Sequence, residues 1–282
     1  MPQRAPEYVL RHSDHELRRL ARQHGLFAEF TRQLLLDAGV GPGMRVLDVG
    51  TGAGDVALLA AELVGPAGEV VGVDTSAASV DRARARAERA GLRQVEFVQG
   101  DAAAPTIDGT FDAVVGRFVL AWVAEPARLV AAVARRVRPG GVVAFQDFDH
   151  PPQQGRSYPE APLFERAFAA CLETLRRVGF DLRMGARLGS MFAAAELPPP
   201  RLRMDVRIGG GPDFEGYAWL AESVRSLLPR MLELGVIAAG ELDVDGLAAR
   251  VRDEVVARGG VMTLAPVVGA WSELPGAQAD AK

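Results

Sequence analysis

Apolar and polar positions alternate on two rhythms along this chain. Short valine-rich runs at Met44–Val49, Glu69–Asp74, Val95–Asp101 and Val142–Phe148 predict strands, and Phe111–Trp122 predicts a strand that runs into an apolar loop. Between them the spacing lengthens to that of helices. "DVALLAAELVG" places Val56, Leu59, Ala60 and Leu63 on one face and stops at Gly65 and Pro66. "SAASVDRARARAERAG" runs from Ser76 as N-cap to Gly91 just past its end, and "EPARLVAAVARRVRPGG" has Pro126 near its start and "PGG" at its stop. Strands separated by helices imply a parallel sheet with both faces covered.

The break after the first strand is "GTGAGD". Gly50, Gly52 and Gly54 tolerate positive φ and let a ligand approach the backbone, and the helix that follows offers unpaired N–H groups at its N-terminus. A glycine turn by itself can be tight packing only. The second strand, however, ends in Asp74, at the spacing where a nucleotide-binding unit places an acid on the ribose hydroxyls. The third strand also ends in an acid, Asp101. A nicotinamide or flavin site would require a third glycine where Asp55 stands, which argues against a dehydrogenase.

With "LDVGTGAGD", "VVGVDTS", "VQGDA", "FDAVVGRFVL" and "RVRPGGVVAFQD" in consecutive order, the chain resembles the class I S-adenosylmethionine-dependent methyltransferases, the broad group called types 11 and 25. The resemblance covers about Arg45 to Asp147 and implies a Rossmann-like seven-stranded sheet, mostly parallel with the last strand antiparallel, helices on both faces and an added helical cap. It implies that Gly50, Gly52 and Gly54 make room for the amino-acid part and sulfur of S-adenosylmethionine, and that Asp48 orients that loop and the cofactor's ammonium. Asp74 would hold the ribose hydroxyls with Thr75 beside the adenine. Asp101 would accept from the adenine amino group, Ala102 would offer a backbone N–H, and the backbone of Arg117 would line the cofactor cleft. For Asp74 and Asp101 the plainer reading is a cap on the following turn.

The flanks are read against the same group. "SDHELRRLARQHGLFAEFTRQLLLDAG" predicts a long helix opened by a capping box from Ser13 to Glu16, with Glu16, Arg19 and Gln23 on one face. It is similar to an N-terminal lid, residues 1–40, in which Tyr8, Arg19 and Gln23 would reach the cofactor's carboxylate end; a solvated helix face is the alternative. Residues 41–150 form the binding core. Beyond it, "DHPPQQGRSYPEAP" reads as an exposed connector, Leu163–Val178 as a helix, Arg201–Gly210 as an alternating strand and about 261–273 as the final antiparallel strand. "MGARLGSMFAAAEL" resembles the helix before the last two strands. Residues 151–282 thus complete the fold, with a helical insertion at about 212–259 as an acceptor cap.

Composition narrows the partners. At 282 residues and 49% hydrophobic content the chain can bury about three quarters of its unfolded surface. No apolar run approaches a membrane span and "MPQRAPEY" has no signal-peptide core, so a cytoplasmic protein is expected. A net charge of −4 is a poor match to nucleic acid, and Arg82, Arg84, Arg86, Arg89 and Arg93 read as a solvated face. The turn after the fourth strand is "GRFV" rather than the "NPPY" type of enzymes that methylate adenine or glutamine nitrogens, and no cysteine lies there for attack on cytosine. Cys171, the only cysteine, reads as packing. The expected acceptor is a small or medium-sized organic metabolite, methylated on oxygen or nitrogen to leave S-adenosylhomocysteine, with Trp122, Phe148 and Tyr217 as candidate substrate contacts. A homodimer is compatible with this. His150, near-neutral in its ordinary titration, is the candidate general base; Asp147, Asp149 and His150 also suit a divalent metal, though no third anchoring motif accompanies them and none is expected. A non-methylating enzyme or a cofactor sensor on the same scaffold are the alternatives.

Overall fold

The valine runs form strands in the expected order. In the computed structural model, which describes residues 14–103, 107–151 and 156–276, they are β1 (Arg45–Val49), β2 (Glu69–Asp74), β3 (Val95–Gln99), β4 (Phe111–Arg117) and β5 (Val137–Phe148). Parallel pairing runs β3-β2-β1-β4-β5. The sheet is completed by β10 (Val267–Glu273), antiparallel to β5, and by β7 (Arg201–Asp205) at the edge. The seven-stranded, mostly parallel α/β architecture inferred from the sequence is therefore the observed one.

Chain order reverses at β1, between β2 and β4, and the crevice at that point is where open α/β sheets bind ligands. The residues next to it are fixed by the core beneath. α2 (Asp55–Val64) buries Val56, Leu59, Ala60 and Val64, and α3 (Ala77–Ala90) buries Val80, Ala83 and Ala87 in the same cluster as Val46, Val70 and Phe97. Ser76 accepts from the Ser79 N–H and Gly91 closes α3 in the left-handed conformation, as its sequence predicts.

Clustering divides the chain into two compact units. One contains Ala28–Phe148, Met184–Met204 and the chain from Val267, hence the large sheet, α4 (Pro126–Ala134) and α6 (Met184–Ala194). The other contains the chain up to Phe27, Asp149–Arg183 and Asp205–Pro266. It is built from α5 (Pro162–Arg177), α7 (Gly216–Glu233), α8 (Leu247–Ala257) and a small sheet of β6 (Ser157–Tyr158), β9 (Val261–Thr263) and β8 (Ile208–Gly209). α1 (Asp14–Asp37) contributes to both.

Five expectations are corrected. The alternating run Arg201–Gly210 splits into β7 and β8 in different sheets, and the final run splits likewise into β9 and β10, because backbone pairing is chosen by partners that alternation does not name. α4 ends at Ala134, ahead of "PGG"; that turn lies within β5, where two steps along β4 match five along β5. The connector is exposed only in part, since Asp149, His150 and Arg156 are buried. The arginines of α3 are not all solvated: Arg84 donates to the Phe97 carbonyl, and Arg86 to the Ala53 carbonyl and to Asp55. The Ser13 capping box falls outside the described residues.

Phe97 sits beneath the ligand end of the sheet, 3% exposed. Phe97→Ala is expected to cost about 3–5 kcal/mol, read from the denaturant midpoint; a loss under about 1 kcal/mol would show that its neighbours collapse into the void.

Candidate active site

β1 carries Asp48 into the sheet 1% exposed. Its Oδ2 accepts from Thr51 Oγ1 at 2.7 Å, while Oδ1 is sealed from solvent without a hydrogen-bond partner. Burial pushes the carboxyl up to about 7, against the Thr51 hydrogen bond and the Arg117 charge.

The glycines around it have unequal duties. A Cβ on Gly50 would meet Val119 Cγ2 at 2.6 Å, and one on Gly54 would meet Phe97 Cζ at 2.9 Å, so both are glycine for packing. Gly52, with φ +54°, has nothing within 4 Å of its Cβ direction. Its N–H donates to Asp74 Oδ2 at 2.9 Å, and Asp74 Oδ1 accepts from the Ser76 N–H at 2.9 Å. Asp74 thus caps the turn while each oxygen keeps a second lone pair. Asp101 is exposed and accepts from the Ala103 N–H at 2.9 Å, Thr75 is exposed, and Ala102 is half-buried.

A polar network that the sequence reading missed backs the loop. Asp55, in the first turn of α2, pairs with Arg86 at 2.6 Å and with Arg117 at 3.5 Å. Arg117, with its side chain 6% exposed, also donates to Thr31 Oγ1 at 3.1 Å, and Thr31 donates to Gln146 at 2.7 Å. The one signal in the sequence was Asp55 itself, an acid where a dinucleotide fold has glycine. Thr31 and Arg86 had none, because each is recruited from a distant helix. Phe118, just past β4, has φ +58° and stacks on Phe148 at 4.0 Å between centroids. A phenylalanine in that region is strained and marks a held position.

Other candidates lie elsewhere. Phe148 is buried and Trp122 half-buried at the end of a short 3₁₀ turn, Leu120–Trp122. Tyr217 belongs to the helical unit, 3% exposed and edge-on to Phe214. In that unit Arg19 donates to Gln23 at 2.6 Å, both 7% exposed, which rules out a solvated face for them. Tyr8 lies outside the described residues. His150 does not titrate near neutrality: burial, then the Arg156 charge, depress it to about 3, leaving an imidazole too weak in basicity to suit a general base. Asp149 is paired with Arg183 at 2.6 Å, and Asp147 accepts from the Ala121 and Phe148 N–H groups. Among the described residues no group of three such side chains is placed to hold a metal, and no helix is long and apolar enough to cross a membrane. Cys171 is buried, its thiol pushed up to about 12, as suits a packing residue.

Asp48 sets a pH dependence. Its folded carboxyl keeps a proton up to about 7 whereas the unfolded one releases it near 3.8, so unfolding sheds a proton between those values. Stability from this group is full below that window and falls as pH rises through it. The melting temperature of Asp48→Asn minus that of wild type should therefore increase from about pH 4 to about pH 7 and then level off; a flat difference would mean that Asp48 ionises normally. Gly54→Ala should destabilise by about 1–3 kcal/mol through clash and strain, and Gly52→Ala by less, measured by chemical denaturation. The reverse order would exchange their roles.

The match to known proteins takes in the glycine turn and the strands around it. A family model described as "Methyltransferase domain" covers residues 41–195, more than half of the chain. The ubiquinone/menaquinone biosynthesis C-methyltransferase UbiE of Teredinibacter turnerae is 34% identical over 147 residues, 51% of this chain and 55% of that protein. The demethylmenaquinone methyltransferase of Renibacterium salmoninarum is 37% identical over 125 residues, 43% of this chain and 48% of that protein. The chain spans about half the length of these curated relatives. The YcgJ protein from Bacillus subtilis shares the fold, with TM-score 0.58 at 18% identity over 88% of this chain and 99% of that one. With the sheet order, the glycine turn and the family match in agreement, the chain belongs to the methyltransferase domain family.

Proposed function

We propose that this chain is an S-adenosylmethionine-dependent methyltransferase acting on a small or medium-sized organic metabolite, with cofactor held at the end of β1. The observation that carries the cofactor assignment is the buried, unpartnered Oδ1 of Asp48 beside the open face of Gly52. An ammonium there would satisfy the oxygen and draw the carboxyl into its ionised form. Asp74 would take the ribose hydroxyls on its remaining lone pairs, Thr75 would lie beside the adenine, Asp101 and Ala102 would meet the adenine edge, and the Arg117 backbone would line the cleft. S-adenosylmethionine, when bound, supplies an already activated methyl group.

The chain's own part is then to position, to exclude water and to keep the loop in place. Asp55 with Arg86 and Arg117 performs the last task. The two named relatives are a C-methyltransferase of quinone biosynthesis and a demethylmenaquinone methyltransferase, so a carbon acceptor stands beside the oxygen or nitrogen acceptor expected from the sequence. The weak basicity of His150 favours an acceptor that arrives with its nucleophile available, either an amine or an already ionised group. We assign residues 1–40 to a lid, 41–150 to the cofactor core and about 212–259 to acceptor recognition.

Calorimetric titration with S-adenosylmethionine should show saturable binding, weakened at least tenfold by Asp74→Ala, equivalent to about 1.4 kcal/mol. Unchanged affinity would remove Asp74 from the ribose. Binding without S-adenosylhomocysteine formation across a panel of amine, phenol and enol acceptors would turn the reading toward a sensor.

A further inference from the structure

The large sheet ends in a strand whose pattern is inverted. β7 reads Arg-Leu-Arg-Met-Asp, and a strand turns alternate side chains to opposite faces. Its apolar members, Leu202 and Met204, are 59% and 57% exposed, whereas Arg203 and Asp205 on the other face are half-buried. Asp37 of α1 holds Arg203 there at 3.1 Å. A strand at the rim of a sheet ordinarily turns its apolar face to the core and its polar face to water.

β7 is also last in the strand order, paired on one side with β10, and no described strand pairs with its other side. That side presents a row of backbone N–H and C=O groups, a template for one more strand. Natural edges are blunted by proline or by charge. Here Pro198, Pro199 and Pro200 stop the strand at its start, but β7 itself contains no proline and carries only Leu202 and Met204 on its uncovered face.

The strand is complementary to itself. When two copies lie antiparallel about a two-fold at Arg203, Arg201 of each stands opposite Asp205 of the other and Leu202 stands opposite Met204. The two Arg203 side chains form the one like-charge pair, and each is answered within its own chain by Asp37. A slip of one residue would set Leu202 against Asp205 and Arg203 against Met204, so the pattern selects a single register.

We propose that two copies of this chain join edge to edge through β7, antiparallel about a two-fold at Arg203, and so run their two sheets into one. The strand contact lies four strands from β1, about 19 Å across the sheet at the usual strand spacing. A ladder of five residues is a small interface, which sets the expected dissociation constant near about 10 μM.

Sedimentation of the full chain at about 100 μM, tenfold above that constant, should give twice the 30.0 kDa of one copy. Met204→Lys and Leu202→Lys, both at exposed positions, should keep the wild-type melting temperature and each weaken the pair at least tenfold. Arg201→Asp, which sets an acid opposite Asp205, should weaken it as well, and Arg201→Asp combined with Asp205→Arg should restore it. Amide hydrogen exchange across Arg201–Asp205 should be severalfold slower in the wild-type dimer than in Met204→Lys. A wild-type monomer at that concentration overturns the proposal. So does a dimer that survives both lysine substitutions, or one whose β7 amides exchange as fast as those of Met204→Lys, since either places the interface elsewhere. A folded double variant that stays monomeric overturns the register and the proposal with it.

Discussion

A carboxyl is buried near the end of β1 with one of its oxygens lacking a hydrogen-bond partner. Everything around Asp48 follows from that cost. Thr51 answers one oxygen, Arg117 supplies a positive field, and the residual deficit appears as a carboxyl that holds its proton up to about 7. A purely structural site would relieve the deficit by substitution. Under the proposed cofactor assignment, a cation arriving there would relieve the deficit, and the free energy released would become binding affinity.

The same constraint explains why the glycine turn has a polar backing. A loop that presents bare backbone to a ligand has little side-chain packing of its own, so its shape must be imposed from behind. Asp74 holds the Gly52 N–H, Arg86 holds the Ala53 carbonyl, and Asp55 gathers Arg86 and Arg117 at the start of α2. Pairing at Asp55 also prevents the two buried or half-buried arginines from standing as unbalanced charges. Packing completes the restraint, with Val119 and Phe97 filling the spaces that Cβ atoms at Gly50 and Gly54 would need.

Burial sets charge in the helical unit as well. There Arg156 is buried, Glu165 accepts from the Arg156 N–H and the Ser157 hydroxyl, and the His150 imidazole is kept neutral. His150 shows how far a sequence-based role can be from the residue's chemistry. The ordinary titration of histidine suggested a base; its burial beside a guanidinium removes that basicity.

Periodicity, glycines and strand-end acids determined the parallel core by themselves, because each βα unit is written in local spacing and caps that do not depend on distant partners. Asp48, Asp74 and the glycine turn were legible for the same reason. Tertiary structure alone decided which glycines pack and which one faces open space, since the answer depends on Val119 and Phe97, far away in the chain. It also decided that the runs after Arg201 and Val261 divide between two sheets, that Arg86 and Thr31 reach the loop, and that His150 and Arg156 share a dry site. Burial and pairing across the chain set dielectric and charge balance, and those quantities have no one-dimensional signature.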